Sequence, residues 1–192
     1  MKGISFTALM FNASSLVNMT DSATLMAQTE VRAIGVMGVS GSGKTTVAQG
    51  LAERLGWVFL EGDAFHPAAN VEKMARGIPL DDDDRWPWLS RLHEAIAQAR
   101  TDDPDLGVVV ACSALKQAYR DRLSRGEDEM VWVYLKGEFE LLQQRLQARS
   151  DHFMPPTLLA SQLADLEEPQ EAIVLDSGRS PHTLIRTILK SL

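Results

Sequence analysis

Hydrophobic positions along the chain follow two alternating patterns. Short apolar runs occupy Arg32–Met37, Trp57–Glu61, Gly107–Cys112, Met130–Leu135 and Ile173–Leu175. The run Val108-Val109-Val110 has the strongest β-forming character of these. Longer segments between them place apolar residues three and four apart, as at Phe139, Leu142 and Leu146. This spacing predicts helices over Lys44–Leu55, Pro67–Arg76, Trp88–Arg100, Leu115–Arg125, Glu138–Arg149 and Leu158–Leu166, and from Pro181 onward. Continuous apolar strands alternating with helices predict an α/β domain. Its sheet should be parallel, covered on both faces and joined by right-handed crossovers.

Two polar stretches interrupt the pattern. Thr101–Asp105 has the composition of a surface connection. Asp81–Asp84 is predicted as a loop, either solvated or presenting acceptors to a hydroxylated ligand. Residues 1–30 lack the alternation, being rich in Ser, Thr, Asn and Met with Lys2 as their only basic residue. They are expected to be a disordered N-terminal extension. A signal peptide fits poorly, because Ser5 and Thr7 break the short apolar stretch Ile4–Phe11. Residues 31–192 are expected to form one domain.

The length of 192 residues agrees with that division, at roughly 150 residues per domain. A net charge of −7 argues against a broad nucleic-acid-binding face. It leaves room for a small anionic ligand held by a few local cations. The single cysteine, Cys112, excludes an internal disulfide or a cysteine-rich zinc site and fits a reducing compartment. It is expected to be buried packing. No apolar stretch approaches the ~18 residues of a membrane span.

The sharpest chemical signal is Gly38-Val39-Ser40-Gly41-Ser42-Gly43-Lys44-Thr45, a full G-x-x-x-x-G-K-[ST] motif between a predicted strand and helix. Glycines let backbone N–H groups converge on phosphate oxygens, and the helix N-terminus adds a positive dipole end. The expected ATP-binding set is Gly38, Ser40, Gly41, Ser42, Gly43, Lys44, Thr45 and Thr46. Lys44 should reach the β- and γ-phosphates, and the Thr45 hydroxyl should ligate Mg²⁺. No Asn-Lys-x-Asp guanine motif is present, so a small-molecule kinase is favoured over a GTPase.

The second predicted strand ends in Glu61-Gly62-Asp63-Ala64-Phe65-His66-Pro67. Strand C-termini line the ligand crevice of an open parallel sheet, so Glu61 and Asp63 should emerge beside the cradle. Glu61 could help hold hydrated Mg²⁺, and Asp63 could accept a hydroxyl proton. His66 is either a loop cap or a substrate contact. Arg85 offers a planar fork for carboxylate or phosphate, against the alternative of a surface ion pair with Asp84. Lys116, Tyr119 and Arg120 follow the third strand and should also begin at the crevice. Of Trp86 and Trp88, one should pack inward and anchor the substrate-binding helices.

The run Glu61-Gly62-Asp63…His66-Pro67…Asn70…Lys73-Met74…Gly77…Pro79-Leu80-x-Asp82-x-Asp84-Arg85-x-Pro87-Trp88-Leu89 resembles the signature of thermoresistant-type gluconokinases. So do Cys112-Ser113-Ala114-Leu115-Lys116 with Tyr119-Arg120-Asp121, Leu135-Lys136-Gly137, Arg149 with His152-Phe153-Met154, and Ser161-Gln162-Leu163…Leu166-Glu167…Pro169. The resemblance spans about residues 32–190. It implies a P-loop kinase fold with a five-stranded parallel sheet in order 2-3-1-4-5. It also implies ATP-dependent phosphorylation of D-gluconate to 6-phospho-D-gluconate by a cytoplasmic homodimer. That reaction would serve gluconate catabolism, feeding the pentose phosphate or Entner–Doudoroff pathway.

By the resemblance, residues near 145–165 form a lid whose Arg145 and Arg149 close over ATP. A salt-bridged surface face is the alternative for these two arginines. The catalytic set is then Lys44, Asp63 and Arg149. Substrate contacts are Asp63, His66, Arg85, Lys116, Tyr119, Arg120 and His152, and the loop ending at Pro181 borders adenine. Competing readings are another kinase of this fold, such as a shikimate kinase, and an ATP-sensing protein that transfers no phosphate.

Overall fold

The computed structural model describes residues 31–125, 130–148 and 158–192. The expectations for residues 1–30, Arg149 and His152 lie outside them. Strands β1 (Ala33–Met37), β2 (Val58–Glu61), β3 (Val108–Ala111), β4 (Met130–Lys136) and β5 (Ile173–Asp176) pair in parallel. Their order is β2-β3-β1-β4-β5, as the resemblance implies. The helices are α1 (Lys44–Leu55), α2 (Ala68–Ala75), α3 (Asp82–Asp102), α4 (Gln117–Leu123), α5 (Phe139–Gln147), α6 (Leu158–Asp165) and α7 (Pro181–Ser191). A 3₁₀ turn, Gly62–Phe65, follows β2.

Alternation along the strands divides the core in two. Ile34, Val36, Val109 and Ala111 face Val47, Ala48, Leu51 and Leu55 of α1 and Leu184 and Ile188 of α7. Ala33, Met37, Val108 and Val110 face the other way, onto Trp88, Leu89, Leu92 and Ile96 of α3 and Tyr119 and Leu123 of α4. Two covered faces explain why these strands read as unbroken apolar runs. Helix α1 reaches the sheet through Val47, Ala48, Leu51, Ala52 and Leu55, one apolar stripe along its length.

The predicted Asp81–Asp84 loop is corrected to the start of a helix, since α3 begins six residues before Trp88. Asp81 is its N-cap, accepting from the Asp84 N–H at 3.0 Å, while Asp84 Oδ2 accepts from the Asp81 N–H at 3.0 Å. This reciprocal capping box satisfies two donors that a helix start leaves orphaned. Asp82, Asp83 and Asp84 all lie in the first turn, where the helix dipole favours negative charge. Pro87 sits inside the helix and removes one backbone bond. Caps, dipole and burial of Arg85, Trp88 and Leu89 outweigh that loss.

Candidate active site

At the C-terminal edge of the sheet the chain turns sharply from β1 into α1. Gly43, the residue before the helix, has φ of 94°, a left-handed conformation natural to glycine. The Lys44 ammonium donates to the Val39 carbonyl at 3.2 Å, so the lysine lies across the cradle it closes. The Ser40 N–H donates to Oε1 of Gln162 on α6 at 2.7 Å. A side-chain oxygen thus contacts a donor that the motif supplies for phosphate.

Beside the cradle, β2 ends against β3 through a close approach at Gly62. A Cβ there would stand 2.5 Å from the Ala111 carbonyl oxygen. The following turn carries Asp63, whose N–H donates to Glu61 Oε1 at 3.5 Å. Trp88 is 2% exposed, donates from its indole N–H to the Gly62 carbonyl at 2.7 Å and stacks on His66 with ring centroids 4.0 Å apart. Trp88 is therefore the inward-packing tryptophan. Trp86 keeps 37% of its surface exposed and meets Tyr119 edge-on at 5.5 Å.

One cavity is lined by Ser40 and Lys44 of the cradle, Asp63 and His66 of the turn, Arg85 and Trp88 of α3, Ser113, Leu115 and Tyr119 after β3, and Ser161 and Gln162 of α6. Lys44, Asp63, His66, Arg85 and Tyr119 are thus brought together around one cavity. Arg85 donates to the Tyr119 hydroxyl at 2.9 Å and to Asp165 Oδ2 at 2.8 Å. Tyr119 in turn donates to Asp82 Oδ1, which also accepts from the Lys116 ammonium at 2.7 Å. The hydrogen bonds from Lys116 and Tyr119 hold the Asp82 carboxyl below its usual range. Lys116 therefore supports the cavity wall through Asp82 and the Tyr119 ring, 5.6 Å away, and is not among the lining residues.

Arg120 departs from expectation. It is 2% exposed and donates to the Ala114 carbonyl at 2.9 Å, the Leu115 carbonyl at 3.1 Å and Gln117 Oε1 at 2.8 Å. Ala114 has φ of 42°, unusual for a residue with a Cβ. Arg120 braces that left-handed turn, and its donors are spent on the turn's carbonyls and on Gln117 instead of facing a ligand.

His66 is lowered to about 4, chiefly by burial; the Asp63 carboxylate opposes the shift and Arg85 reinforces it. Its imidazole is therefore neutral at pH 7. Burial also pushes the Cys112 thiol up to about 12. With no exposed surface, Cys112 should resist a thiol reagent at pH 8 in the native protein and react once the chain is unfolded. Native-state labelling at the unfolded rate would contradict this packing role.

A second groove runs along the far side of the cradle, lined by Gly41, Ser42, Gly43, Thr46, Arg145, Ser177, Arg179 and Pro181. The Arg145 guanidinium donates to the Ser177 carbonyl at 3.0 Å and the Gly41 carbonyl at 3.4 Å. Thr46, Arg145 and Pro181 thus share the groove, and Arg179 and Ser177 join them from the loop flagged as bordering adenine. Sequence reasoning assigned no role to Asp165, Gln162 or Asn70. Gln162 and Asn70 lay within quoted motifs, but their partners are distant in the chain.

Thr45 and Glu61 supply hard oxygen donors of the type Mg²⁺ prefers. Among the described residues no cluster of three or more His, Cys, Asp or Glu could hold a metal by itself. This donor set suits an ion that arrives with nucleotide phosphates. Among the described residues no helix is long and apolar enough to cross a membrane.

Residues 34–169 match the AAA domain family. A gluconokinase from Gluconobacter oxydans (strain 621H) is 48% identical over 163 residues, covering 83% of this chain and 90% of the relative. The thermoresistant gluconokinase of Escherichia coli (strain K12) is 48% identical over 135 residues, covering 70% and 75%. The crystal structure of a gluconokinase from Sinorhizobium meliloti 1021 superposes with a TM-score of 0.73 at 43% identity, covering 82% of this chain and 89% of that one.

Proposed function

The chain belongs to the gluconokinase family, and from that membership we propose that it transfers the γ-phosphoryl group of ATP to D-gluconate, yielding 6-phospho-D-gluconate and ADP. The observation that carries this reading is the single cavity joining the phosphate cradle to Asp63, His66 and Arg85. A phosphate donor and a hydroxylated anion can meet there.

Phosphoryl transfer depends mainly on positioning and charge stabilisation. The cradle N–H groups from Gly38 to Thr46 and the Lys44 ammonium hold the triphosphate. Arg145 and Pro181 border the nucleotide from the second groove, and the family resemblance assigns Arg149 a further charge-neutralising role on the transferred phosphoryl group. Thr45 and Glu61 would hold the Mg²⁺ that accompanies ATP, the latter through water; the ion would neutralise phosphate charge. Asp63 orients the gluconate 6-hydroxyl. As the new P–O bond forms and the β–γ bridge breaks, Asp63 accepts the hydroxyl proton. Arg85 and His66 hold the acceptor beside Tyr119, Lys116 supports that wall through Asp82, and the family resemblance adds His152 to the acceptor contacts. The family resemblance further supports a cytoplasmic homodimer, whose mass sedimentation of the full chain would measure.

Coupled ADP release should be fast with gluconate and near background with shikimate or no acceptor. Turnover only with shikimate, or equal turnover without an acceptor, would overturn the assignment.

A further inference from the structure

Asn70 is a buried polar residue, 4% exposed, on the helix that follows His66. Its Nδ2 donates to the Asp84 backbone carbonyl at 2.8 Å. The same Nδ2 lies 3.4 Å from His66 Nδ1. A backbone carbonyl can only accept, so Asp84 fixes which end of the Asn70 amide is nitrogen. His66 Nδ1 therefore faces an N–H donor. A proton on Nδ1 would set donor against donor. The ring must accept at Nδ1 and carry its proton on Nε2.

The ring is also fixed in place. It lies at 19° to the Trp88 indole, which is anchored to the Gly62 carbonyl. The charged groups facing it are Asp63 on its own turn and Arg85 on α3. With Nδ1 turned to Asn70, Nε2 is the ring nitrogen left for a ligand in the cavity. Asp63 supplies an acceptor to the same cavity, so a neutral His66 supplies the complementary donor.

We propose that His66 binds the acceptor as a neutral Nε2–H hydrogen-bond donor, and that Asn70 is the positioning residue that imposes this tautomer. The inference rests on the acceptor-pocket reading above and adds a proton position and a new residue to it. A hydroxyl or carboxylate oxygen of the acceptor is the partner this donor would recognise.

The test is ¹⁵N NMR of the imidazoles in the full chain, with His66 assigned through His66→Gln. In the unsubstituted protein His66 should be neutral and protonated at Nε2 across pH 6–8. Asn70→Asp places an acceptor opposite Nδ1, so the proton should move from Nε2 to Nδ1, which removes the Nε2–H donor. The KM for gluconate should then rise about tenfold, as expected for one lost hydrogen bond, with a smaller change in kcat. An Nδ1–H tautomer or an imidazolium at pH 7 in the unsubstituted protein would overturn the proposal. So would an Asn70→Asp protein whose tautomer and gluconate KM are unchanged. If that variant does not fold, the spectrum of the unsubstituted chain decides alone. The spectrum needs no turnover, so a failed gluconate assay would defeat the functional reading without touching this result.

Discussion

Asp63→Asn should lower kcat by about 10²–10⁴-fold, the usual contribution of a positioned general base. Asparagine keeps the shape of the side chain and its reach from the 3₁₀ turn. Its amide can still meet a hydroxyl but cannot take the proton as the phosphorus–oxygen bond forms. ATP binding should be preserved, because the cradle from Gly38 to Thr46 and Lys44 lies on a separate turn. Equilibrium titration with a non-hydrolysable ATP analogue and steady-state kinetics with gluconate separate the two effects. Near-normal turnover in the variant would remove Asp63 from the proton-accepting role.

Arg85→Ala should raise the gluconate KM by about 10–150-fold, the loss expected for one charge-assisted hydrogen bond of about 1.5–3 kcal/mol. The ATP KM should change far less. The structure adds a second consequence that the sequence did not reveal. Arg85 bridges Tyr119 after β3 and Asp165 on α6. Its loss should destabilise the fold by about 1–3 kcal/mol, below the full cost of breaking a buried pair, because Asp165 keeps 33% of its side chain exposed. Arg85→Lys retains charge but cannot reach both partners with a planar fork, so it should recover only part of the affinity. An unchanged gluconate KM in Arg85→Ala would defeat the assignment.

Legibility in the sequence followed the range of the interaction. The phosphate cradle is one contiguous motif, and the strands read as apolar runs because both sheet faces are covered. Asp63 and His66 were legible because the sheet brings the end of β2 to the crevice. The start of α3 was obscured by the run Asp81–Asp84, whose adjacent like charges read as a polar loop but serve as the capping box and first turn of a helix secured by burial of Trp88. Arg120 misled for another reason: its place after β3 is right for a ligand contact. Only three-dimensional structure shows its donors taken by the carbonyls of the Ala114 turn. The Arg85–Asp165 pair joins residues 80 apart in the chain, and the Ser40–Gln162 contact joins residues 122 apart. No local periodicity encodes either.

A chain with net charge −7 must concentrate its cations to bind two anionic substrates. Lys44 and Arg85 do so within one cavity, while Arg145 and Arg179 line the groove on the other side of the cradle. The most direct test of this account is ³¹P NMR of a mixture of the protein, ATP, Mg²⁺ and D-gluconate. The account predicts ADP and a stoichiometric phosphomonoester on the C6 oxygen of gluconate. Inorganic phosphate as the sole new product, or an unchanged ATP spectrum with active protein, would contradict it.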